Sequence, residues 1–328
     1  MKIFITGASG FVGSQLALTL AVDNNDVRVM LRDPSLAAVY TGNGISVMIG
    51  DLSDSEKLLT GMAGCDWVFH LAAYTKPSAK DPGLPYRTNV TGTLNVLDAA
   101  RAQSVKKVII TSSAGTLGYS RNGLPVTEDS NNNPVYHTEY ERTKAFSEIK
   151  SGEYNSDEMD VVIVNPSRIY GPGKMTLSNS VTRIIELYGR GVWRIIPGDG
   201  EASGNYVFID DIISGLILAA MYGKGGERYI LGGENLSYLE FFNILGDVFG
   251  KRRKLLMMKE PSLQRIVRIA GIYSSLTGKP PFISSEWLDK YLQNWILSSN
   301  KAQSQLNYKI TPFREGAEKT VCWLKSKS

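Results

Sequence analysis

The sequence predicts an α/β fold, in which a doubly wound parallel sheet is followed by a second, smaller and mostly helical region. Short apolar runs typical of buried strands recur along the first half of the chain, and segments with helical periodicity separate them. Such alternation indicates βαβ units, whose right-handed crossovers place helices on both faces of the sheet. Glycine and proline clusters after residue 166 predict that the second region begins there.

The predicted elements alternate without interruption up to Pro166. We expect strands at 2–5, 26–31, 45–50, 67–72, 107–113 and 160–166, and helices at 11–22, 54–63, 86–103 and 139–151. In sheets of this kind ligands bind beyond the carboxyl ends of the strands. Candidate site residues are therefore sought where strands end.

Beyond the sheet the pattern loosens. We expect residues 1–168 to form the first domain and the chain to return to it at about 206–233, through a helix over 207–222 and a strand at 228–233. Residues 169–328 then form the smaller substrate-binding region. Its predicted helices cover 177–189, 237–249 and 262–275. Four aromatic residues follow near-helical spacing, which favours core packing over a substrate pocket: Phe282, Trp287, Tyr291 and Trp295.

Composition excludes several classes of partner. With 328 residues, 43% hydrophobic, 21% charged and a net charge of +4, the chain resembles ordinary globular proteins and gives little reason to expect nucleic acid as a partner. The longest apolar runs reach about half of the ~20 residues that a membrane span requires. The two cysteines and two histidines follow no metal-ligand spacing, so we expect no metal and a reducing, cytoplasmic location.

Three glycines spaced three apart follow the first strand in "MKIFITGASGFVG". Glycine weakens both helix and strand, so its repetition indicates that the backbone itself must approach a ligand closely. Between a strand and a helix, backbone N–H groups and the positive helix terminus hold a dinucleotide pyrophosphate. The residues expected there are Gly7, Ser9, Gly10, Phe11, Val12 and Gly13.

The end of the second strand bears on the choice of dinucleotide. An acid at this place commonly binds the ribose 2′-hydroxyl of NAD. Here "VRVMLRDPS" places Arg32 there, followed by Asp33. Because a guanidinium pairs with a 2′-phosphate, Arg32 favours NADP. The alternative is NAD, with Asp33 binding the ribose.

Tyr140 and Lys144 in "HTEYERTK" indicate acid–base chemistry. Four residues apart on a helix, they lie on one face, where the ammonium is expected to stabilise the phenolate and lower the pKa of the tyrosine. The strand at 107–113 ends in hydroxyl side chains that face the same crevice. Among them Ser113 is expected to hold the substrate oxygen while Tyr140 exchanges its proton.

Together these motifs resemble the extended short-chain dehydrogenase/reductases. The residues that carry the resemblance stand in that family's order: Thr6–Gly13, Asp51-Leu52, His70–Ala73, Ser112–Gly115, Tyr140–Lys144 and Asn165–Gly173. It extends from residue 1 to about 235. Within the family, "VRVMLRDPS" and "TSSAGTLG" look most like the dihydroflavonol-reductase-like branch, and "VVIVNPSRIYGPG" also looks like bacterial epimerase/dehydratases.

The resemblance implies a Rossmann domain and specific roles. Asp51 and Leu52 would contact the adenine; Leu71, Ala72 and Ala73 would lie near the ribose; Pro166 and Ser167 would lie near the nicotinamide. Ser113, Tyr140 and Lys144 would form the catalytic set, with Tyr140 and Lys144 also binding the cofactor. The resemblance further implies a homodimer packed through helices 86–103 and 139–151.

One departure from the family's sequence pattern bears on the choice of substrate. Relatives that act on nucleotide-diphosphate sugars commonly carry an Arg-Asp pair ahead of the "xxVDD" segment, and that arginine meets the substrate diphosphate. Here Gly204 and Asn205 stand at those places. The difference disfavours a nucleotide-sugar substrate, unless Arg183, Arg190 or Arg194 substitutes.

Three functions fit these observations. The leading hypothesis is an NADP(H)-dependent reductase or dehydrogenase acting on the carbonyl or hydroxyl carbon of a small molecule. The second is a nucleotide-sugar epimerase/dehydratase with retained NAD. The third is a dinucleotide-sensing protein without catalysis, which the presence of both Tyr140 and Lys144 disfavours.

Overall fold

The computed structural model describes residues 1–76, 79, 81–130, 134–277, 288 and 290–327. The strands are β1 (Lys2–Thr6), β2 (Asp26–Leu31), β3 (Ser46–Ile49), β4 (Trp67–His70), β5 (Lys107–Thr111), β6 (Asp160–Pro166), β7 (Arg168–Tyr170), β8 (Ile195–Pro197), β9 (Ser203–Phe208), β10 (Arg228–Leu231), β11 (Glu234–Ser237) and β12 (Leu256–Met258).

The helices complete the list of elements. They are α1 (Phe11–Val22), α2 (Ala37–Thr41), α3 (Ser55–Met62), α4 (Leu84–Tyr86), α5 (Gly92–Ala102), α6 (Glu139–Gly152), α7 (Ser180–Gly189), α8 (Ile209–Tyr222), α9 (Tyr238–Val248), α10 (Glu260–Thr277), α11 (Asn300–Leu306) and α12 (Phe313–Ser326). A π-helical turn at Arg87–Thr91 joins α4 to α5. Among these helices none is both long and apolar enough to cross a lipid bilayer.

Seven parallel strands form the central sheet, in the order β10-β6-β5-β4-β1-β2-β3. The strand order reverses at β1, which pairs with β2 on one side and with β4 on the other. At such a switch point the loops leave in opposite directions and open a crevice at the carboxyl edge of the sheet.

The two faces of the sheet bury separate cores. Ile3 and Ile5 of β1 face a core shared with α1 and α8, whereas Phe4 faces the opposite core with α3 and α5. This alternation follows from the period of two along a strand. Helices on both faces explain why the strands are apolar on both sides.

Two smaller sheets extend the molecule beyond the carboxyl edge. Antiparallel β11 and parallel β7 flank β9, and β8 pairs with β12. β7 begins two residues after β6 ends, so the chain passes directly from the central sheet into this region. The wall of the crevice is therefore connected to the strand that ends beside the site.

The predicted α/β class and the parallel sheet are confirmed, and α1, β2 and β6 have the predicted bounds. Other parts of the chain differ from the prediction. The expected helix at 86–103 is divided into α4, the π-helical turn and α5, and β7, β8, β11, β12 and α2 were not predicted. β9 occupies part of the 196–205 segment, which the glycine content indicated as loop, and α11 and α12 were not predicted at all. The pairing of β9 depends on strands about 30 residues away in either direction, which local patterns do not reveal.

Candidate active site

The loop between β1 and α1 has the form of an anion-binding turn. Gly7 has a φ of +79°, and the N–H of Gly10 donates to its carbonyl at 3.0 Å. Gly10 is the N-cap of α1 and provides no side-chain cap, so the first N–H groups of the helix stay available to a ligand. Ser9 is exposed in this loop, whereas Phe11 and Gly13 are buried beneath it.

Close backbone approach explains two of the glycines. A Cβ added to Gly7 would lie 2.4 Å from the backbone nitrogen of Ala72, and one added to Gly13 would lie 2.4 Å from the carbonyl oxygen of Gly7. Both distances are far inside van der Waals contact. The loop therefore packs against the end of β4, which brings Leu71, Ala72 and Ala73 next to the predicted pyrophosphate site.

A buried chain of hydrogen bonds supports the same junction. Nδ1 of His70 lies 2.7 Å from the hydroxyl of Thr6, and its Nε2 lies 2.9 Å from the hydroxyl of Thr93. Thr93 donates its own proton to the carbonyl of Asn89, so it must accept from Nε2–H. His70 therefore carries a proton on Nε2, and in the neutral ring Nδ1 accepts from the hydroxyl of Thr6. Burial, and then the charge of Lys144, lower its pKa to about 3.

Arg32 follows β2 directly and is exposed at the carboxyl edge. Asp33 caps the short 3₁₀ helix Pro34–Leu36, with its carboxylate accepting from the N–H of Ser35 at 2.9 Å. Hydrogen bonds from Ser35 hold the pKa of Asp33 below its usual range. The carboxylate of Asp33 is therefore engaged by its own turn, whereas Arg32 is exposed to solvent.

The remaining predicted cofactor residues also lie at the carboxyl edge of the sheet. Asp51 accepts from the N–H and hydroxyl of Ser53 at 3.1 Å, and Leu52 is buried next to it. Pro166 ends β6, and the N–H of Ser167 donates to the carbonyl of Leu231. The hydroxyl of Ser167 is buried and has no hydrogen-bond partner among the described residues.

A capping box fixes the helix that carries the predicted acid–base pair. The hydroxyl of Thr138 accepts from the N–H of Glu141, and the Glu141 carboxylate accepts from the N–H of Thr138. Tyr140 and Lys144 follow on one face of α6. Ser113, just after β5, lies near enough to Tyr140 for its side chain to lower the pKa of that tyrosine, so the structure brings the three predicted catalytic residues together.

The expected lowering of the Tyr140 pKa is wrong for this structure. Burial raises it to about 12, although the hydrogen bond from Ser113 opposes the shift, and the nearby carboxylates of Glu141 and Glu148 raise it further. Burial likewise lowers the pKa of Lys144 to about 8, which the charge of Glu148 opposes. Desolvation outweighs charge pairing because the helix face is packed against the sheet. Tyr140 is therefore held in its protonated form at neutral pH.

The buried ammonium of Lys144 is suited to binding a dinucleotide. Lys144 is 1% exposed, and its Nζ has no hydrogen-bond partner among the described residues. A buried unpaired cation is costly unless a ligand supplies acceptors. Together with the glycine loop and the uncapped α1 terminus, Lys144 fits a ribose and pyrophosphate group.

Glu148 is a site residue that the sequence analysis missed. Its Oε1 accepts from Thr116 at 2.8 Å and from Asn165 at 2.7 Å, and its Oε2 lies 3.4 Å from Arg228. Glu148 is one turn beyond Lys144, so a local signal existed in the spacing. Its partners on β6 and β10 did not follow from that spacing. The carboxylate joins α6 to the strands that end beside Ser113.

A cavity of ≈ 70 Å³ lies beyond the ends of β5 and β6. Residues at these strand ends form one side, and a segment near the carboxyl terminus forms the other. Its lining comprises Ser113, Ala114, Gly115, Pro166, Ser167, Arg168, Asn205, Lys290, Trp295 and Leu297. Trp295 thus borders the cavity although it was predicted as core, and it is buried as well. Phe282 and Trp287 lie outside the described residues.

The arginines expected as substitutes lie elsewhere. Arg183 and Arg190 are exposed and pair with Glu186, and Arg194 donates to the carbonyl of Gly191. Asn205 does line the cavity, but its amide bonds Gly233 and Asn235. None of these arginines lines the cavity, so its guanidinium comes from Arg168, which the sequence analysis did not assign.

The comparisons with known proteins agree with this geometry. The model of the NAD dependent epimerase/dehydratase family matches residues 3–232. The protein named "Putative dihydroflavonol 4-reductase" of Synechocystis sp. is 33% identical over 71% of this chain and 68% of its own length. The UDP-glucose 4-epimerase of Mycolicibacterium smegmatis is 31% identical over 71% and 77%. The structure described as gox2253 has a TM-score of 0.81 and 28% identity, covering 99% of this chain and 98% of its own.

Proposed function

The chain belongs to the NAD dependent epimerase/dehydratase family of extended short-chain dehydrogenase/reductases, which are NAD(P)-dependent oxidoreductases, and from this we propose that it is an NADP(H)-dependent carbonyl reductase. The observation that carries the proposal is the grouping of Ser113 and Tyr140 with the buried Lys144, whose Nζ has no hydrogen-bond partner among the described residues. The enzyme would reduce the carbonyl group of a small molecule or, in the reverse direction, oxidise its hydroxyl group.

The cofactor would be held by this chain's own backbone and by two side-chain groups. The N–H groups of the Gly7–Gly13 loop would bind the pyrophosphate, the guanidinium of Arg32 the 2′-phosphate, and Lys144 the nicotinamide ribose. The reduced nicotinamide, when bound, supplies the hydride. Because Asp33 is engaged with Ser35 and Arg32 is exposed, the edge of β2 favours a phosphate over a ribose hydroxyl.

The proton chemistry belongs to Tyr140 and Ser113. Ser113 orients the substrate oxygen, and Tyr140 donates its proton to that oxygen as the carbonyl carbon is reduced. A pKa near 12 keeps Tyr140 protonated at neutral pH, which suits a proton donor and hence the reductive direction. The adjacent Lys144 cation stabilises the phenolate that remains after proton transfer.

Replacement of Tyr140 by phenylalanine tests the proposal. Tyr140→Phe should lower the rate of NADPH oxidation by a carbonyl substrate at least 100-fold, since general acid catalysis contributes roughly 10²–10⁴-fold. NADPH affinity should change by less than about threefold. Tyr154→Phe is the matched control, because its hydroxyl bonds Asp98, which is not among the cavity residues. Normal turnover by Tyr140→Phe would refute this mechanism.

The second candidate is a nucleotide-sugar epimerase/dehydratase with retained NAD. The likeness to the UDP-glucose 4-epimerase favours it, while Gly204 in place of the diphosphate-binding arginine disfavours it. Such an enzyme would carry tightly bound NAD through purification. Extraction of the nucleotide from the purified protein distinguishes the two candidates.

A further inference from the structure

Arg168 lies in the same cavity as the predicted catalytic serine. It begins β7, two residues after β6 ends, so its position is fixed by the strand that borders the active site. The neighbouring cation, Lys290, forms an ion pair with the buried carboxylate of Glu141. Arg168 takes part in no ion pair among the described residues. The cavity therefore has a net positive charge that comes from one guanidinium.

The surroundings of Arg168 hold the guanidinium without neutralising it. Its Cζ lies 5.7 Å from the ring centre of Tyr206, 5.9 Å from that of Tyr238 and 5.3 Å from that of Tyr291. Nη1 donates to the hydroxyl of Tyr238 at 3.2 Å. Nη2 is buried and has no hydrogen-bond partner among the described residues. Aromatic faces orient this cation, but its charge remains uncompensated, which is costly in a buried place.

The space taken by the guanidinium exists because residue 204 is a glycine. A Cβ added to Gly204 would lie 2.4 Å from Nη1 of Arg168 and 3.0 Å from its Cζ. A side chain at position 204 would thus displace the guanidinium. Gly204 stands where nucleotide-sugar enzymes carry an arginine, so β9 provides no cation here. The space beside Gly204 is instead occupied by the guanidinium of Arg168, which belongs to β7.

The opposite wall limits what can reach this cation. The N–H of Trp295 donates to the carbonyl of Ser203, and its indole Nε1 donates to the carbonyl of Lys290. Leu297 donates its N–H to Asn235 and pairs with Val126. These bonds fix Trp295 and Leu297 over a cavity of only ≈ 70 Å³. Such a space is sufficient for one small planar anion.

We propose that Arg168 binds a carboxylate of the substrate, so that the enzyme reduces a small oxo acid. The proposal rests on the proposed reductase function and specifies its substrate class. Nη2 of Arg168, which has no partner among the described residues, can donate a charge-assisted hydrogen bond to a carboxylate oxygen. Arg168 and Ser113 line one cavity, so an acid held by the first presents its carbonyl oxygen to the second.

Ligand-observed NMR of the full-length protein tests the proposal with matched probes. The probes are 2-oxobutanoate and 4-oxopentanoate, each compared with its uncharged methyl ester, and UDP. At least one acid should bind the wild-type protein at least tenfold more tightly than its ester. Arg168→Met should lose that preference, with acid affinity falling at least tenfold, and Arg168→Lys should retain part of it. Arg314→Met, which removes an exposed arginine paired with Asp247, should behave as wild type.

Other outcomes overturn the proposal. Equal affinity of acids and esters, unchanged acid binding in Arg168→Met, or Arg168-dependent binding of UDP without binding of acids would each do so. If Arg168→Met fails to fold, the acid and ester comparison in the wild-type protein and in Arg168→Lys still decides.

The proposed reductase function and the proposed carboxylate subsite can be refuted independently of each other. Acid binding through Arg168 without NADPH oxidation would refute the reductase and leave this subsite standing. NADPH-dependent reduction of ketones, with the acids binding no more tightly than their esters and no effect of Arg168→Met on acid binding, would refute the subsite and leave the reductase standing.

Discussion

His70 shows how a single residue couples the cofactor loop to the rest of the site. Its ring joins Thr6, at the end of β1, to Thr93 on α5, and it is fully buried. In the neutral ring, Nε2–H donates to Thr93, which itself donates to Asn89, and Nδ1 accepts from the hydroxyl of Thr6. Protonation would place a second cation close to Lys144.

The sign of the resulting pH dependence follows from the lowered pKa. The folded state holds His70 with a pKa of about 3, whereas an unfolded histidine titrates near 6.5. The unfolded state therefore binds more protons between these values. The contribution of His70 to the free energy of unfolding is therefore complete above about pH 6.5. Below that pH the contribution decreases, by up to ~1.4 kcal/mol per pH unit.

We predict that His70→Gln flattens this dependence. Urea unfolding at pH 5 and pH 7 should show a smaller loss of unfolding free energy in the variant than in the wild-type protein, even though the variant is less stable at pH 7. An unchanged slope in His70→Gln would contradict the buried neutral histidine.

The sequence predicts site residues that belong to a local motif. It does not predict site residues whose role depends on contacts with distant segments of the chain. Tyr140 and Lys144 lie four apart on one helix, and the structure brings Ser113 to them. The role of Arg168 depends on a glycine 36 positions away and on three tyrosines from other elements. The pKa of Tyr140 was misjudged for the same reason, because burial is a property of the packed structure.

At the scale of elements, the β1–α1 turn is the part of the site most strictly determined by its sequence. Gly7 combines a positive φ with close packing against the backbone of Ala72, and Gly13 packs against Gly7 itself. An added methyl at Gly7 meets main-chain atoms, which cannot move aside as a flexible side chain can. The turn and the end of β4 must therefore shift together.

A pair of glycine variants separates backbone strain from steric conflict. Gly44 has a φ of +72° with nothing within 4 Å of an added Cβ, so Gly44→Ala should cost only the ~1–2 kcal/mol of left-handed strain. Gly7→Ala should cost at least ~2 kcal/mol more, because overpacking adds to the strain. It should also weaken dinucleotide binding, which Gly44→Ala should not. Unfolding free energies and dinucleotide titrations measure both effects. An equal loss of unfolding free energy in Gly7→Ala and Gly44→Ala would contradict the close packing of the turn.

At the scale of the whole molecule, the sequence predicted the central sheet far better than the region beyond it. Parallel strands buried on both faces leave continuous apolar runs, and their connections are helices with their own period. The smaller sheets pair short strands across long stretches of chain, as β7 and β11 do on either side of β9. Substrate choice depends on this less predictable region.

The expected homodimer stays a prediction. Phe146 and Ile149 on α6 are 39% and 64% exposed, and Tyr86 of α4 packs against Phe146. These side chains fall within the segments 86–103 and 139–151, through which the resemblance implies packing.

Titration of the nucleotide-free protein with NADPH and NADH, followed by nicotinamide fluorescence, tests the central claim most directly. NADPH should bind more tightly than NADH. Arg32→Ala should weaken NADPH binding at least tenfold, as the loss of a charge-assisted hydrogen bond of ~1.5–3 kcal/mol requires, and leave NADH unaffected. Arg314→Ala should change neither. Tighter binding of NADH, or NAD that copurifies and does not exchange, would contradict the NADP(H)-dependent reductase and favour the epimerase/dehydratase.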